Sequence, residues 1–255
     1  MHHDLFSIGP FTVHSYGLMI AIGVLVAYFY VMYQMKSKGL GLAKIDAMVV
    51  WILLGGIVGA KLLYWITQID NIMQKPQILL DMTNGFVVYG GIIGGVLAGF
   101  IYCKVKRLSF PLYADLIIPS VALAQGFGRT GCFLAGCCYG METSSILGVQ
   151  FPVGSIAPSD VQLLPIQLFS SGFDFALFIV LATYLKRKKA DGQVTALYMV
   201  LYSAGRFVVE FFRGDIERGN IGVLSTSQFV SIFMFVLGCI GFAVTQYNAT
   251  KKLSA

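Results

Sequence analysis

The sequence predicts an all-α membrane protein of about seven transmembrane helices, and three observations lead to this prediction. Hydrophobic residues make up 57% of the 255 residues and charged residues only 12%, whereas a soluble globular chain has about 25% charged residues. The mean hydropathy is +0.77. Apolar runs recur along the chain at about the 20 residues that a helix needs to cross a bilayer. Most of the surface of this protein must therefore face lipid.

Seven apolar segments are candidates for these helices, and we treat residues 1–255 as a single integral membrane domain. The segments cover about 13–34, 46–67, 86–105, 111–127, 163–185, 194–212 and 226–246. The fourth segment is short and ends in glycines, so we expect an irregular end to this helix. An external loop region follows at about 128–162, and a loop of this length is more often functional than idle.

Basic residues are distributed unevenly over the connecting loops. Twelve of the eighteen Lys and Arg residues lie in alternate loops and the C-terminal tail, at 35–45, 104–110, 186–193 and 251–252. The positive-inside rule then places the N-terminus outside and the C-terminus in the cytoplasm. The net charge of +6 thus reflects topology, and without a basic face interleaved with aromatic residues we expect no nucleic-acid partner.

Glycines recur four residues apart within the predicted helices. The pairs are Gly55 with Gly59, Gly90 with Gly94, and Gly91 with Gly95. Small residues at this spacing let two helix backbones approach closely in lipid. They favour helix packing over chemistry.

Four ionisable side chains fall inside or at the ends of the predicted helices: Lys61, Arg129, Arg206 and Glu210. A charge at the bilayer centre costs about 3 kcal/mol on insertion scales, so such residues are normally paired, face the interior and serve a function. For Lys61, a side chain whose ammonium group reaches out to the membrane surface is an equally good interpretation.

Polar residues form a stripe along the sixth segment. Tyr202, Arg206, Glu210 and Arg213 are spaced by four, four and three residues, which places them on one face of a helix. A polar stripe that faces the interior of a helix bundle indicates a site. The alternative is an ion pair of Arg206 with Glu210 that only fixes helix packing.

Arg129 stands among glycines at the outer end of the fourth segment, between Gly128 and Gly131. Glycines beside an arginine let backbone N–H groups and the guanidinium approach one anion together, and the planar guanidinium can bond two phosphate oxygens. The pattern predicts a site for the phosphate of a lipid headgroup in the outer leaflet. The alternative is a plain interfacial anchor.

Three cysteines, Cys132, Cys137 and Cys138, lie within seven residues. Their C-x4-C-C spacing differs from the paired C-x2–4-C units of structural zinc sites, so we expect no metal and no other cofactor. A disulfide between Cys132 and one of the other two stays open, because one side of the membrane is oxidising. A thiol-redox membrane protein built on these cysteines is therefore one possible function.

Several segments resemble the prolipoprotein diacylglyceryl transferases, a family of seven-span bacterial enzymes. GFGRTGCFLAGCCYG at 126–140 is similar to the family signature. Further similar segments, in family order, are VHSYGLM at 13–19, GAKLLYW at 59–65, YGGIIGG at 89–95, PIQLF at 165–169 and GRFVVEFFR at 205–213. The resemblance covers nearly the whole chain.

The resemblance implies an enzyme of the bacterial inner membrane, with its active site facing the outer leaflet. It would move the diacylglyceryl group of phosphatidylglycerol, a membrane lipid, to the lipobox cysteine in the signal peptide of a preprolipoprotein, releasing glycerol phosphate. Arg129 and Arg206 would neutralise the phosphate, Glu210 would orient Arg206, and Tyr89 would stand at the catalytic position. The substrate-binding residues would be Tyr16, Lys61, Gly90, Gly91, Gly140, Gln167 and Tyr202.

The chain departs from the family pattern where the thiol would be activated. Tyr89 occupies the place of the family's histidine, and Cys132 and Cys137 replace an asparagine and a glutamate. Phe169 and Ser170 also differ from the family's Q-L-Y-E pattern. A family paralogue with another acceptor is thus an alternative, and so is a transporter or flippase for an anionic lipid or solute.

Overall fold

The structure is a computed structural model that describes residues 4–8, 11–81, 85–215 and 219–254, most of which are helical. The α-helices are α1 (Ser15–Ser37), α2 (Leu42–Thr67), α3 (Ile69–Gln74), α4 (Val88–Val105), α5 (Phe110–Ala135), α6 (Ile166–Leu185), α7 (Gln193–Glu210) and α8 (Thr226–Ser254). A 3-10 helix covers Pro76–Leu80.

Three short antiparallel hairpins complete these elements. They pair β1 (Asp4–Ile8) with β2 (Phe11–His14), β3 (Val149–Gln150) with β4 (Gln162–Leu163), and β5 (Asn220–Ile221) with β6 (Leu224–Ser225). The second hairpin lies within the predicted external loop, where Phe151 and Leu163 are buried in a small apolar cluster with Ala157. This loop is therefore folded.

Six helices within the described ranges are long and apolar enough to cross a membrane: α1, α2 from Ile45, α4, α5, α6 and α8 to Lys251. The prediction of a mostly helical membrane protein is confirmed. The remaining predicted span, the sixth along the chain, corresponds to α7, which has 18 residues but is not among the six. Its stripe of Tyr202, Arg206 and Glu210 lowers its hydropathy, so a seventh span and the orientation of the termini stay predictions.

Helix α5 continues through the glycines that were predicted to end it. It runs to Ala135, and the loop therefore begins eight residues later than the predicted residue 128. A Cβ added at Gly126 would lie 2.6 Å from the Phe175 ring, and one at Gly131 would lie 3.2 Å from the Tyr16 ring. These glycines make room for neighbouring rings, and the helix does not break at them.

The chain divides into two compact units, Met1–Val31 with Ala114–Ala255, and Met32–Tyr113. In the second unit, α2 packs on α4 through the predicted glycine pairs. A Cβ added at Gly59 would collide with the carbonyl oxygen of Gly90 and lie 2.9 Å from the Cα of Gly94. The packing role is confirmed for the pairs Gly55 with Gly59 and Gly90 with Gly94, whereas a Cβ at Gly91 or Gly95 would meet its nearest neighbour at ordinary contact distances of 3.4 and 3.5 Å. A single integral membrane domain stays a prediction.

In the first unit, α7 packs against α6 and α8, and Asp115 of α5 caps its N-terminus. The Asp115 side chain is fully buried. Its Oδ1 accepts hydrogen bonds from the backbone N–H and the hydroxyl of Thr195, both at 2.9 Å. Its Oδ2 accepts from the Gly192 N–H and the Lys188 ammonium, both at 2.8 Å. We call this group the Asp115 anchor, which satisfies N–H groups that a helix start leaves without intrahelical partners.

Candidate active site at an arginine-lined cleft

Helices α5, α6 and α7 enclose a small cleft within the first unit, and we call it the arginine cleft. It is lined by Arg129, Ser170, Phe173, Asp174, Tyr202, Gly205, Arg206 and Val209. Three of the predicted site residues, Arg129, Tyr202 and Arg206, thus meet at one place although they come from helices far apart in the chain.

Arg129 is half-buried, and its guanidinium makes no hydrogen bond or ion pair with the part of the chain that the structure describes. It lies within electrostatic range of Tyr202, Cys132, Asp174 and Cys138. A guanidinium carries five N–H donors, and among the described residues none of those of Arg129 is both buried and unpaired, so they stay open to a ligand. Arg129 is thus poised to bind an anion.

Arg206 is fixed on one side and unpaired on the other. Its Nη2 lies 2.7 Å from Glu210 Oε2 in an ion pair and donates a hydrogen bond of 3.0 Å to Ser227 Oγ. Glu210 Oε1 accepts a further hydrogen bond, of 2.9 Å, from Ser225 Oγ. The second terminal nitrogen, Nη1, is buried without a hydrogen-bond partner among the described residues. The predicted pairing with Glu210 is present, and it leaves donors of Arg206 available to a ligand.

Asp174 is a cleft residue that sequence reasoning missed. Its side chain lies in the middle of α6 with only 2% exposure, and it faces the positive charges of Arg129 and Arg206. The signal was in the sequence, because Asp174 interrupts an apolar run much as Lys61 does. A carboxylate at this point offsets part of the charge of two neighbouring arginines while no ligand is bound.

Two tyrosines that the resemblance assigned to substrate binding lie at or near the cleft. Tyr202 lines it and stacks on Tyr198, with ring centroids 5.3 Å apart and planes 14° apart. The Tyr198 hydroxyl donates a hydrogen bond of 2.9 Å to Gln125, which holds the pair in place. Tyr16, in the first turn of α1, is 44% exposed and lies within electrostatic range of Arg129.

Arg213 does not belong to the stripe as predicted, because α7 ends at Glu210. Its guanidinium is bound by Asp215 through two hydrogen bonds of 2.9 and 2.8 Å, and its backbone pairs with Gly140. Gly140 in turn donates a backbone hydrogen bond to Leu164 at 3.1 Å. A Cβ at Gly140 would collide with that carbonyl oxygen. The site has the geometry of backbone packing, and substrate binding by Gly140 stays a prediction.

The three neighbouring cysteines converge where α5 ends. Gly136 has a φ of +71°. Its N–H bonds the carbonyl of Phe133 at 3.2 Å, while the N–H of Cys137 bonds the carbonyl of Cys132 at 3.0 Å. This is a Schellman motif, in which the positions of Cys132 and Cys137 commonly touch. Cys138 follows in a left-handed conformation, with a φ of +57°, and the three Sγ atoms all lie within 4.8 Å of one another.

A hydrogen bond and nearby positive charges support this cysteine group. Buried Gln167 donates a hydrogen bond of 2.8 Å to the carbonyl of Cys137, so the predicted substrate-binding glutamine holds the loop backbone. The pKa of the Cys138 thiol is held below its usual range by hydrogen bonding with the Cys132 and Cys137 thiols and by the positive charges of Arg213 and Arg129. The burial and orientation of these cysteines were not readable from their spacing alone.

The remaining predicted residues, Lys61, Tyr89, Gly90 and Gly91, lie in the second unit. Lys61 is 6% exposed and donates a hydrogen bond to the carbonyl of Asp81, with the rings of Tyr64 and Phe86 each 5.1 Å from its ammonium group. The Lys61 ammonium group thus binds the backbone of the segment that follows the 3-10 helix, and the choice between a functional lysine and one that reaches the membrane surface stays open.

Tyr89 and its two neighbouring glycines begin helix α4. Tyr89 lies in the first turn of α4 and is 38% exposed. A Cβ at Gly90 would collide with the backbone of Gly59, whereas one at Gly91 would lie 3.4 Å from the carbonyl oxygen of Gly56. Gly90 is thus required for close packing. The catalytic role of Tyr89 and the substrate-binding roles of Lys61, Gly90 and Gly91 stay predictions.

Known proteins resemble this chain over nearly its whole length. The family model described as prolipoprotein diacylglyceryl transferase matches residues 3–244. A protein of Clostridium tetani (strain Massachusetts / E88) named phosphatidylglycerol–prolipoprotein diacylglyceryl transferase is 46% identical over 244 residues, which are 96% of this chain and 98% of that protein. A second such protein, from Clostridium perfringens (strain 13 / Type A), is 45% identical over 94% of each chain. A third, from Thermotoga maritima, is 31% identical over 97% of this chain and 86% of its own.

Proposed function

The chain belongs to the prolipoprotein diacylglyceryl transferase family, and we propose that Arg129 and Arg206 form the phosphate site of this enzyme. The reaction transfers the diacylglyceryl group of phosphatidylglycerol to a prolipoprotein thiol, and its other product is glycerol phosphate. The observation that carries the assignment is a cleft lined by two arginines, of which Arg206 has a buried donor without a partner among the described residues. An anion is the ligand that satisfies both of them.

The chemistry of the transfer explains why positive charge is needed there. The thiolate of the lipobox cysteine attacks the glycerol carbon that bears the phosphate, a C–S bond forms and the C–O bond breaks. The electron pair of that bond goes to the phosphate oxygen, so negative charge grows on the leaving group. Fixed donors in a water-poor cleft stabilise that charge more than they stabilise the intact diester, and this difference lowers the barrier.

We assign supporting roles to the residues around the two arginines. Glu210 and Ser227 hold one edge of the Arg206 guanidinium, which leaves Nη1 for a phosphate oxygen. Tyr202 and Tyr16 line the headgroup path. Asp174 offsets the arginine charges while the cleft is empty and opposes the retention of glycerol phosphate after the reaction.

We further propose that the protein is a multi-pass protein of the bacterial inner membrane with α7 as its seventh span. The N-terminus would then lie outside and the C-terminus in the cytoplasm, as the loop charges predict. Helix α7 has 18 residues, enough for about 27 Å at 1.5 Å per residue. Its polar face is turned towards the arginine cleft, which supports a span that is shielded from lipid on this side.

Mass spectrometry of a lipobox peptide incubated with the purified protein and phosphatidylglycerol tests the proposal. We expect a diacylglyceryl adduct on the peptide cysteine with the wild-type protein and none with Arg129→Ala. Arg187→Ala is the matched control, because Arg187 is an exposed arginine of the 186–193 loop, and it should transfer normally. Full transfer by Arg129→Ala would reject the phosphate assignment.

The same preparation separates the transferase from a transporter or flippase. A transporter would move an anionic lipid or solute across sealed vesicles without a covalent product. Adduct formation in detergent, where no compartments exist, is expected only of the transferase.

A further inference from the structure

The spacing of Cys132, Cys137 and Cys138 predicted no metal, but in the structure these three thiols, which the mechanism above does not use, form a group that a metal ion can bind. Their Sγ atoms all lie within 4.8 Å of one another. Thiolates bind Zn²⁺ at about 2.3 Å, which separates sulfurs in a tetrahedral site by roughly 3.8 Å. Small side-chain rotations therefore suffice to bring the three sulfurs to one ion.

The backbone has already been shaped so that these sulfurs converge. The Schellman motif at Gly136 brings Cys137 to Cys132, and Cys138 adopts a left-handed conformation that non-glycine residues rarely occupy. A disulfide would use only two of the three sulfurs and would not explain why the third lies beside them. Three converging thiols are the ligand set of a soft divalent ion.

The surrounding charge also suits a metal thiolate. Three thiolates with one divalent cation carry a net charge of −1. Arg129 and Arg213 both lie within electrostatic range of Cys138 and offset part of this charge, although Arg213 is itself paired with Asp215. Cys132 is buried while Cys137 and Cys138 are half-buried, which closes the site on one side and leaves it accessible on the other.

We propose that Cys132, Cys137 and Cys138 bind one thiophilic divalent cation such as Zn²⁺, with a fourth position open to the acceptor thiol. Catalytic zinc sites combine three protein ligands with one open position, and a thiol that coordinates the ion is deprotonated. The acceptor role rests on the proposed transferase function. It would supply the thiol activation for which this chain has Tyr89 where the family has histidine.

The step balances without an oxidant or a reductant. The acceptor thiol binds the metal and releases its proton to water. The bound sulfur then attacks the glycerol carbon, forming the C–S bond as the C–O bond breaks, and the electron pair leaves with glycerol phosphate. Arg129 lies within electrostatic range of Cys132 and Cys138, so the positive charge of the proposed phosphate site also acts on the proposed metal site.

Cobalt binding to the full-length, reduced protein tests the metal site without any phospholipid. We expect one Co²⁺ per chain, with thiolate charge-transfer and tetrahedral visible bands, and displacement of Co²⁺ by Zn²⁺. Cys132→Ser, Cys137→Ser and Cys138→Ser should each weaken Co²⁺ binding by at least about tenfold. Cys239→Ser, at an exposed cysteine of α8, is the matched control and should bind normally.

Cys132 is buried, so loss of Co²⁺ binding by its variant can also reflect poor folding. The half-buried Cys137 and Cys138 variants decide the test, provided that their unfolding temperatures equal that of the wild type. Absence of Co²⁺ binding by the reduced wild type, or equal binding by all variants, overturns the proposal. A disulfide would be identified instead by two results together. Without reductant, titration would find two free thiols fewer than the sequence contains, and with reductant the protein would still bind no Co²⁺.

The acceptor role has its own readout. A lipobox peptide with cysteine should change the visible Co²⁺ bands, whereas the same peptide with serine should not. Removing the metal with a chelator should lower transfer at least about tenfold, and Zn²⁺ should restore it. Unchanged transfer by the metal-free protein overturns this role. Arg129→Ala should still bind Co²⁺ while failing to transfer, so loss of the phosphate site and loss of the metal are distinguishable.

Discussion

The buried charged groups at the two ends of helix α7 differ in whether the protein itself supplies their hydrogen-bond partners. At its N-terminus, each carboxylate oxygen of Asp115 accepts two hydrogen bonds, and Lys188 also binds Asp191 at 2.7 Å. Towards its C-terminus, Arg206 has one buried terminal nitrogen without a partner in the described part of the chain. Arg129, opposite it, makes no ion pair there.

This difference separates structure from function within one helix. Buried polar groups are nearly always hydrogen-bonded, and the exceptions call for an explanation. All polar atoms of the Asp115 side chain have hydrogen-bond partners without a ligand, as expected of a group that only holds helices together. In the arginine cleft, a buried donor of Arg206 has no partner among the described residues, and we propose that an anion satisfies it. Unsatisfied donors, more than charge as such, therefore mark the candidate site.

The largest effect is expected from Arg206→Ala. The variant removes a donor that stabilises charge in the transition state, and transfer to a lipobox peptide should fall by about 10³-fold, or about 4 kcal/mol. The variant also leaves the buried Glu210 carboxylate without its ion-pair partner, so some loss of stability is expected, and transfer is measured per folded molecule. If the folded fraction of Arg206→Ala fell as much as its transfer activity, Arg206 would be a structural residue like the Asp115 anchor.

Asp115→Asn should have the converse effect. It leaves the Lys188 ammonium opposite an amide in a buried position, and the free energy of unfolding in detergent should fall by about 3 kcal/mol. The transfer rate of the folded fraction should stay near that of the wild type. Asp191→Asn removes the exposed partner of the same lysine and should cost less than about 1 kcal/mol.

Asp174→Asn is expected to have the smallest effect of the three, and this effect is on the affinity for the phosphate product. Without this carboxylate, the arginines attract a phosphate more strongly, and inhibition by glycerol phosphate should tighten about tenfold, or about 1.4 kcal/mol. Asp160→Asn, in the exposed loop, should leave inhibition unchanged. Weaker inhibition in the Asp174 variant would show that this side chain does not oppose the phosphate.

Helical spacing was sufficient to predict part of the cleft. The interval of four residues placed Tyr202, Arg206 and Glu210 on one face, and the structure places the first two in the cleft and the third on Arg206. Asp174 and Asp115 were missed although each is a carboxylate in a largely apolar run. Their signal in the sequence is the same as that of Lys61, an ionisable residue inside an apolar segment.

Other features depend on packing that the sequence does not display. The glycines of α5 were predicted to end the helix, but Phe175 and Tyr16 pack on them, and the helix continues to Ala135. The meeting of three thiols depends on the backbone at Gly136 and Cys138. Hydrophobic periodicity does not indicate that a cysteine adopts a left-handed backbone conformation, as Cys138 does.

The modest hydropathy of α7 bears on the assembly of the protein during synthesis. A segment with an arginine and a glutamate along one face partitions poorly into lipid by itself, since each charge at membrane depth is costly. If α7 spans the membrane, its insertion has to wait for helices that cover this face, and α8 is made only after it. Biogenesis would then be cooperative over the last three helices, and a chain truncated before α8 should leave α7 outside the bilayer.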